Sequence, residues 1–279
     1  MLLKNAQTLE WASTLRKAIE HIGKLDPSGI SGRDSKLLLE HLDKLSGALA
    51  YATKKLDPTR RPVGLFDPSD PVLMGRFVAM ALLAQRREKL SEVKLFYGSG
   101  VYAIYYTGDF PEYSNISGSE HPIYVGKADP AIKGARTAHE QGAKLAGRLA
   151  EHCKNISKAE NLDDNDFACR YLVVASGWQI SAEQHLIWLY QPIWNSETKI
   201  CYGLGKHGDS SETRGNKRSP WDTMHPGRAW AVSTDEDQMP VSEIRKKLRK
   251  HFELYPPFTS LESAVDKFFE QMQQKFDDG

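Results

Sequence analysis

Two short tyrosine motifs on consecutive strand-like runs constrain this chain more than any other feature. Gly100-Val101-Tyr102 opens an apolar run that reaches Tyr106 and alternates as a strand does. After a polar loop, Ile123-Tyr124-Val125-Gly126-Lys127 opens a second such run. Tyrosine is common in strands, so each residue taken alone reads as packing. A glycine beside each tyrosine signals close backbone approach or a bulge, which leaves a phenol facing a cleft. A third strand is expected at Cys169–Ala175, and helices at about 140–159 and 181–191. The order strand, strand, helix, strand, helix predicts a small α/β sandwich of the α+β kind. Its sheet is three-stranded, mainly antiparallel and flanked by helices.

Three regions follow from the pattern. Residues 1–95 form a helical N-terminal region, with Leu9, Ala12, Leu15, Ile19 and Ile22 at helical spacing, then Leu38, Leu42, Leu45, Leu49 and Leu56. A four-proline stretch from Asp57-Pro58 to Asp70-Pro71 must be a loop, and a further helix is expected over 72–90. Residues 96–200 form the core that carries both tyrosine motifs. Residues 201–279 supply a long irregular loop, rich in Gly, Ser, Asn and His over 199–230, and helices at about 241–253 and 260–275 packed on the core. The leucine stripe from Leu38 to Leu56 must be buried, either in its own subunit or against a second copy.

No apolar run approaches the roughly 20 residues of a membrane span, and the N-terminus lacks the pattern of a signal peptide. Cys153, Cys169 and Cys201 are widely spaced without a Cys-x-x-Cys, so they read as reduced cysteines of a cytoplasmic protein, with neither zinc nor disulfides. A net charge of +1 argues against a purely electrostatic DNA coater. Yet basic residues gather around the motifs, at Lys127, Lys133, Arg136, Lys144, Arg148, Lys154 and Lys158, and again at Lys206, Arg214, Lys217, Arg218 and Arg228. That distribution favours a phosphate-bearing partner.

The candidate chemistry is carried by few side chains. Tyr102 and Tyr124 have phenols whose unperturbed pKa is about 10, so a basic role needs nearby cations such as Lys127, Arg148 and His152. Arg148 and His152 are four residues apart on one helix face, at the edge of a stripe formed by Leu145, Leu149 and Ile156. The planar fork of Arg148 suits phosphate oxygens and the charge that grows on them. Ser181-Ala182-Glu183-Gln184 has the form of a capping box, which would make Glu183 a first-turn acid. Glu183 also shares a face with Ile187 and Tyr190, and so points inward, where a hard divalent cation is a natural partner for it. Asn195 is either a C-terminal turn residue or a group that orients the phosphate or Glu183.

Taken together, these residues resemble the GIY-YIG nuclease superfamily, here spelled GVY and YVG, and within it the type II restriction endonucleases that cut GC-rich palindromes. The likeness covers roughly residues 70–255. It rests on Gly100–Gly108, Pro122–Ala128, Arg148-Leu149-Ala150-Glu151-His152, Pro192-Ile193-Trp194-Asn195 and Trp221–Arg228. The resemblance implies Tyr102 as general base or water-positioner, Tyr124 as its support, Arg148 on the scissile phosphate and Glu183 on a single Mg2+, with Mn2+ an alternative. His152, Asn195 and Lys127 are supporting members. Double-stranded DNA is the implied partner, a CCGCGG-like palindrome the implied target, and a homodimer or tetramer the implied assembly. Arg214, Asn216, Lys217, Arg218 and Arg228 have side-chain types that read guanine edges or contact phosphates, as Lys127 and Lys144 do for the backbone. The rival readings are a repair or mobile-element nuclease of the same fold and a non-catalytic DNA-binding protein.

Overall fold

The run at 100–106 folds as a strand with all seven residues buried, which requires cover on both faces and a partner on both edges. A computed structural model describes residues 2–273 apart from 58, 60–61, 63, 206–216, 233 and 235. The chain divides into two compact units, one on residues up to Gly64 and one from Leu65 onward. The first holds α1 (Leu2–Gly23) and α2 (Gly32–Leu56). In the second come α3 (Pro71–Leu83), β1 (Glu88–Lys89), β2 (Gly100–Tyr106), β3 (Tyr124–Ala128), α4 (Ala138–Gln141) and α5 (Lys144–Ile156). β4 (Phe167–Val173), α6 (Trp178–Tyr190), α7 (Pro220–Met224), α8 (Ala229–Val232), α9 (Val241–Leu254) and α10 (Leu261–Met272) complete it.

The sheet runs β1-β4-β2-β3 and every pairing is antiparallel. It therefore has one strand more than the sequence pattern predicts. The extra strand, β1, is two residues long, too short for alternation to register. Side-chain alternation along β2 divides the core into two layers. Tyr102, Ile104 and Tyr106 pack toward α5, against Leu145, Leu149 and Ile156. Val101, Ala103 and Tyr105 face Leu82 of α3, Leu186 of α6 and Phe268 of α10. The sheet is thus sandwiched between helices.

Local chemistry sets the helix ends. Asp70 caps α3 by accepting from the Val72 amide, and Pro71 follows at the first helical position, where no amide donor is needed. The helix expected over 140–159 is broken into α4 and α5 at Gly142, whose φ is 71°. Helix α6 begins at Trp178, three residues before Ser181, so the Ser181–Gln184 pair is not a capping box and Glu183 is not a first-turn acid. Strand β3 lies at the sheet edge, and Asn195 covers it. The Asn195 amide accepts from Val125 N–H at 3.0 Å and donates to Val125 C=O at 2.9 Å, standing in for a neighbouring strand.

The segments after the sandwich also build core. Trp194 Nε1 donates to Tyr113 Oη at 2.9 Å, and that hydroxyl meets His225 Nε2 at 2.5 Å. Burial drives the His225 pKa down to about 3, so the ring is neutral. Beside it, Arg228 pairs with Asp222 at 2.5 Å from Nε and 2.7 Å from Nη2. The same guanidinium donates to the carbonyls of Gly203 and Leu204, and Ser219 Oγ donates to Asp222.

Removing one member of that buried pair strands the other. Arg228→Met is expected to lower the unfolding free energy by about 3–5 kcal/mol, read from urea denaturation. Because Asp222→Asn combined with Arg228→Met leaves no lone charge, the double variant should be less damaged than the sum of the singles. A simple sum would mean that the two side chains are not coupled.

Candidate active site

Even-numbered positions of β2 face α5, and so Tyr102 is carried beneath that helix. Its hydroxyl lies 2.6 Å from His152 Nε2, and both side chains are buried. The Tyr124 ring packs edge-on against His152 with centroids 5.0 Å apart. Gly126 sits opposite Tyr102 in the sheet register. The Tyr102 phenol crosses directly over it, so a Cβ at position 126 would collide with the hydroxyl. The glycine of the second motif makes room for the tyrosine of the first. At Gly100 a Cβ would strike the Leu172 carbonyl, so that glycine admits the neighbouring strand. His152, expected at the edge of the apolar stripe of α5, lies within it.

A pocket of about 530 Å³ opens over these groups, lined by Tyr102, Tyr124, Lys127, Arg148, Glu183 and others. Lys127 comes from β3, Arg148 from α5 and Glu183 from α6. Glu183 is half-buried, and the Lys127 backbone amide beside it favours its ionised form. Burial raises its pKa to about 7, opposed by Lys127 and reinforced by Glu197 and Asp129. Burial likewise pushes the Tyr102 phenol well above its usual range, with Arg148 pulling the other way. Tyr124 is shifted upward for the same reason. Both phenols are therefore neutral at ordinary pH, and a phenolate base held by the field of the cations is not what the site provides.

The fit to a metal is that of a single carboxylate. Glu183 is desolvated yet open to a polar pocket, an arrangement that a divalent cation relieves. Among the described residues no cluster of three or more His, Cys, Asp or Glu side chains is placed to hold a metal, so water and substrate oxygens would supply the other ligands.

The remaining expected residues divide. Lys144 lines the pocket from the start of α5. Asn195 is buried and both ends of its amide are taken up by Val125, which makes it a clip on β3 instead of a ligand for phosphate or for Glu183. Arg228, expected on DNA, is 2% exposed and serves as an internal cross-link through Asp222, Gly203 and Leu204. Lys217 and Arg218 are accessible and pair with Glu236 at 3.0 Å and Asp237 at 2.7 Å. Arg214 and Asn216 lie outside the described residues. Two charged pocket residues have no role in the motif reading, Asp129 and Glu151. Opposite charges two residues after Lys127 and three after Arg148 were the available signal.

The family model of the Eco29kI GIY-YIG domain matches residues 94–252, more than half of the chain. No curated protein matches it.

Two expectations follow from this geometry. Gly126→Ala should displace the Tyr102 hydroxyl from His152 while keeping the fold. The ring 15N resonances of His152 should move although far-ultraviolet circular dichroism is unchanged; unmoved resonances would mean that the phenol has room to spare. Mg2+ or Mn2+ binding followed by calorimetry should weaken about tenfold per pH unit below about 7, where Glu183 takes up a proton. Glu183→Gln should lose the binding. In the metal-free protein the same shift favours the fold below the ordinary pKa of 4.5, and this contribution is lost as pH rises through about 7.

Proposed function

The chain belongs to the Eco29kI GIY-YIG family of type II restriction endonucleases, and from that premise we propose a Mg2+-dependent enzyme that hydrolyses both strands of double-stranded DNA at a specific palindrome. The observation that carries the reading is the 2.6 Å contact between Tyr102 Oη and His152 Nε2 in the wall of a pocket that also offers Arg148, Lys127 and Glu183.

Because burial keeps Tyr102 protonated, its hydroxyl acts as a relay. A water in the pocket gives its proton to Tyr102 Oη as that oxygen passes its own proton to His152 Nε2. The water oxygen forms a bond to phosphorus and the bond from phosphorus to the 3′ oxygen breaks. The products are a 5′-phosphate and, once the leaving oxygen is protonated by solvent, a 3′-hydroxyl. Tyr124 packs against His152 and limits its ring orientation. Arg148 and Lys127 offset charge on the nonbridging oxygens, most strongly as it grows. Glu183 holds the single cation, which when bound supplies Lewis-acid stabilisation of charge on the phosphate.

One such centre cuts one strand, so symmetric double-strand cleavage calls for a homodimer whose two-fold axis matches the DNA dyad. Helix α2 supports this reading. Leu38, Leu42, Leu45, Leu49 and Leu56 follow helical spacing, yet no residue of the helix is buried, which leaves a face for the second copy.

Plasmid incubated with Mg2+ should yield a discrete set of linear fragments, and light scattering on a duplex substrate should report a dimer. Tyr102→Phe, Arg148→Ala and Glu183→Gln should each slow cleavage by roughly 10²-fold or more, with a much smaller loss of duplex binding. Full activity in Tyr102→Phe would sink the relay. A monomer that accumulates nicked circles would favour a repair-type nuclease.

A further inference from the structure

The pocket contains as many carboxylates as cations. Lys127, Lys144 and Arg148 line it beside Asp129, Glu151 and Glu183. Two of the cations are paired within it, Arg148 Nη1 to Glu151 Oε2 at 2.8 Å and Lys127 Nζ to Asp129 Oδ2 at 2.6 Å. Glu183, by contrast, is the carboxylate that fits a divalent cation. A pocket meant to receive a phosphodiester thus has two of its three cations neutralised before anything enters, in a chain whose net charge is only +1.

We propose that Asp129 and Glu151 are internal counter-anions, which occupy Lys127 and Arg148 until a DNA phosphate displaces them and so suppress binding to non-cognate DNA. This rests on the nuclease reading of the same site. Three features point to displacement instead of permanent positioning. Both pairs lie at partly exposed positions, with 26% and 60% exposure for Lys127 and Asp129 and 30% and 26% for Arg148 and Glu151. Ion pairs in such settings are weak, about 1 kcal/mol or less, so a phosphate can compete for the cation. Arg148 and Glu151 are three residues apart on one helical face, where the long arginine side chain can swing to a new partner without backbone movement. Asp129 is also held by the buried Gln179, whose Nε2 donates to Asp129 Oδ1 at 3.2 Å. The carboxylate therefore keeps a partner when the lysine leaves.

The consequence is selectivity. Any phosphate must first break two ion pairs, and only a correctly seated duplex adds enough other contacts to offset that. Non-cognate DNA, bound mainly through its backbone, loses proportionally more.

The test is Glu151→Gln and Asp129→Asn, each measured by fluorescence anisotropy on an arbitrary duplex in EDTA, where no cleavage occurs. Each variant should bind roughly 5-fold tighter than the parent, the equivalent of about 1 kcal/mol, with the gain shrinking as salt is raised. Cleavage in Mg2+ should spread to additional sites. Glu270→Gln is the control for net charge. Glu270 pairs with Lys267 at 2.8 Å on α10, which packs on the sheet face opposite α5, and this variant should leave affinity unchanged. Unchanged or weaker binding by the two pocket variants, with their melting temperatures intact, would overturn the proposal and assign the carboxylates to holding the cations in place. Equal tightening in Glu270→Gln would overturn it as well. Parent protein that binds no duplex would instead overturn the nuclease reading, and this role with it.

Discussion

The pairing of β2 with β3 on one edge and β4 on the other is the constraint on which the larger unit depends. Tyr102 and Tyr105 are three residues apart and belong to opposite layers. Tyr102 enters the pocket beneath α5, whereas Tyr105 is packed behind the sheet with the Arg87 guanidinium 3.9 Å from its ring centroid. A slip of one residue would exchange every side chain between the two faces. The hydroxyl facing His152 would vanish, and a small side chain, Val101 or Ala103, would stand in its place. The motif glycines fix the register because they are the positions where no side chain can be accommodated, at Gly100 by the Leu172 carbonyl and at Gly126 by the phenol itself.

Much of this was legible in the sequence. Strands reveal themselves by alternation, so β2, β3 and β4 fall within two residues of where the pattern places them. The apolar stripe of α5 likewise predicts which face carries Arg148 and His152. What stayed hidden depends on partners distant in sequence or on elements too short to have a period. The two residues of β1 carry no alternation. Ser181-Ala182-Glu183-Gln184 looks like a helix start, but Gly177 ends the preceding turn and α6 is already under way. Asn195 lies 70 residues from Val125, whose edge it closes. Arg228 looks like a cation for DNA until Asp222 and two carbonyls are seen to enclose it.

The electrostatics of the pocket follow from this burial. Desolvation favours neutral forms, raising both the Tyr102 phenol and the Glu183 carboxyl. A neutral phenol against an imidazole is suited to passing a proton between the two, and poorly suited to storing a bare anion. Arginine resists the same pressure because its guanidinium stays charged at any ordinary pH.

The pocket is drawn from β2, β3, α5 and α6, and β2 completes its pairing only when Gly100 meets Val173. Tyr102 and His152 are 50 residues apart, so their contact requires closing a long loop, a slow step for a chain that has not yet condensed. For a protein read as a nuclease this has a bearing on its synthesis. A growing chain on the ribosome has Tyr102 of the centre first, but lacks the acid of α6, Glu183, until some eighty residues later. No product that stops short of α6 contains the complete centre. The long-range topology thus ties the appearance of the centre to the emergence of α6, well after the strand that opens it.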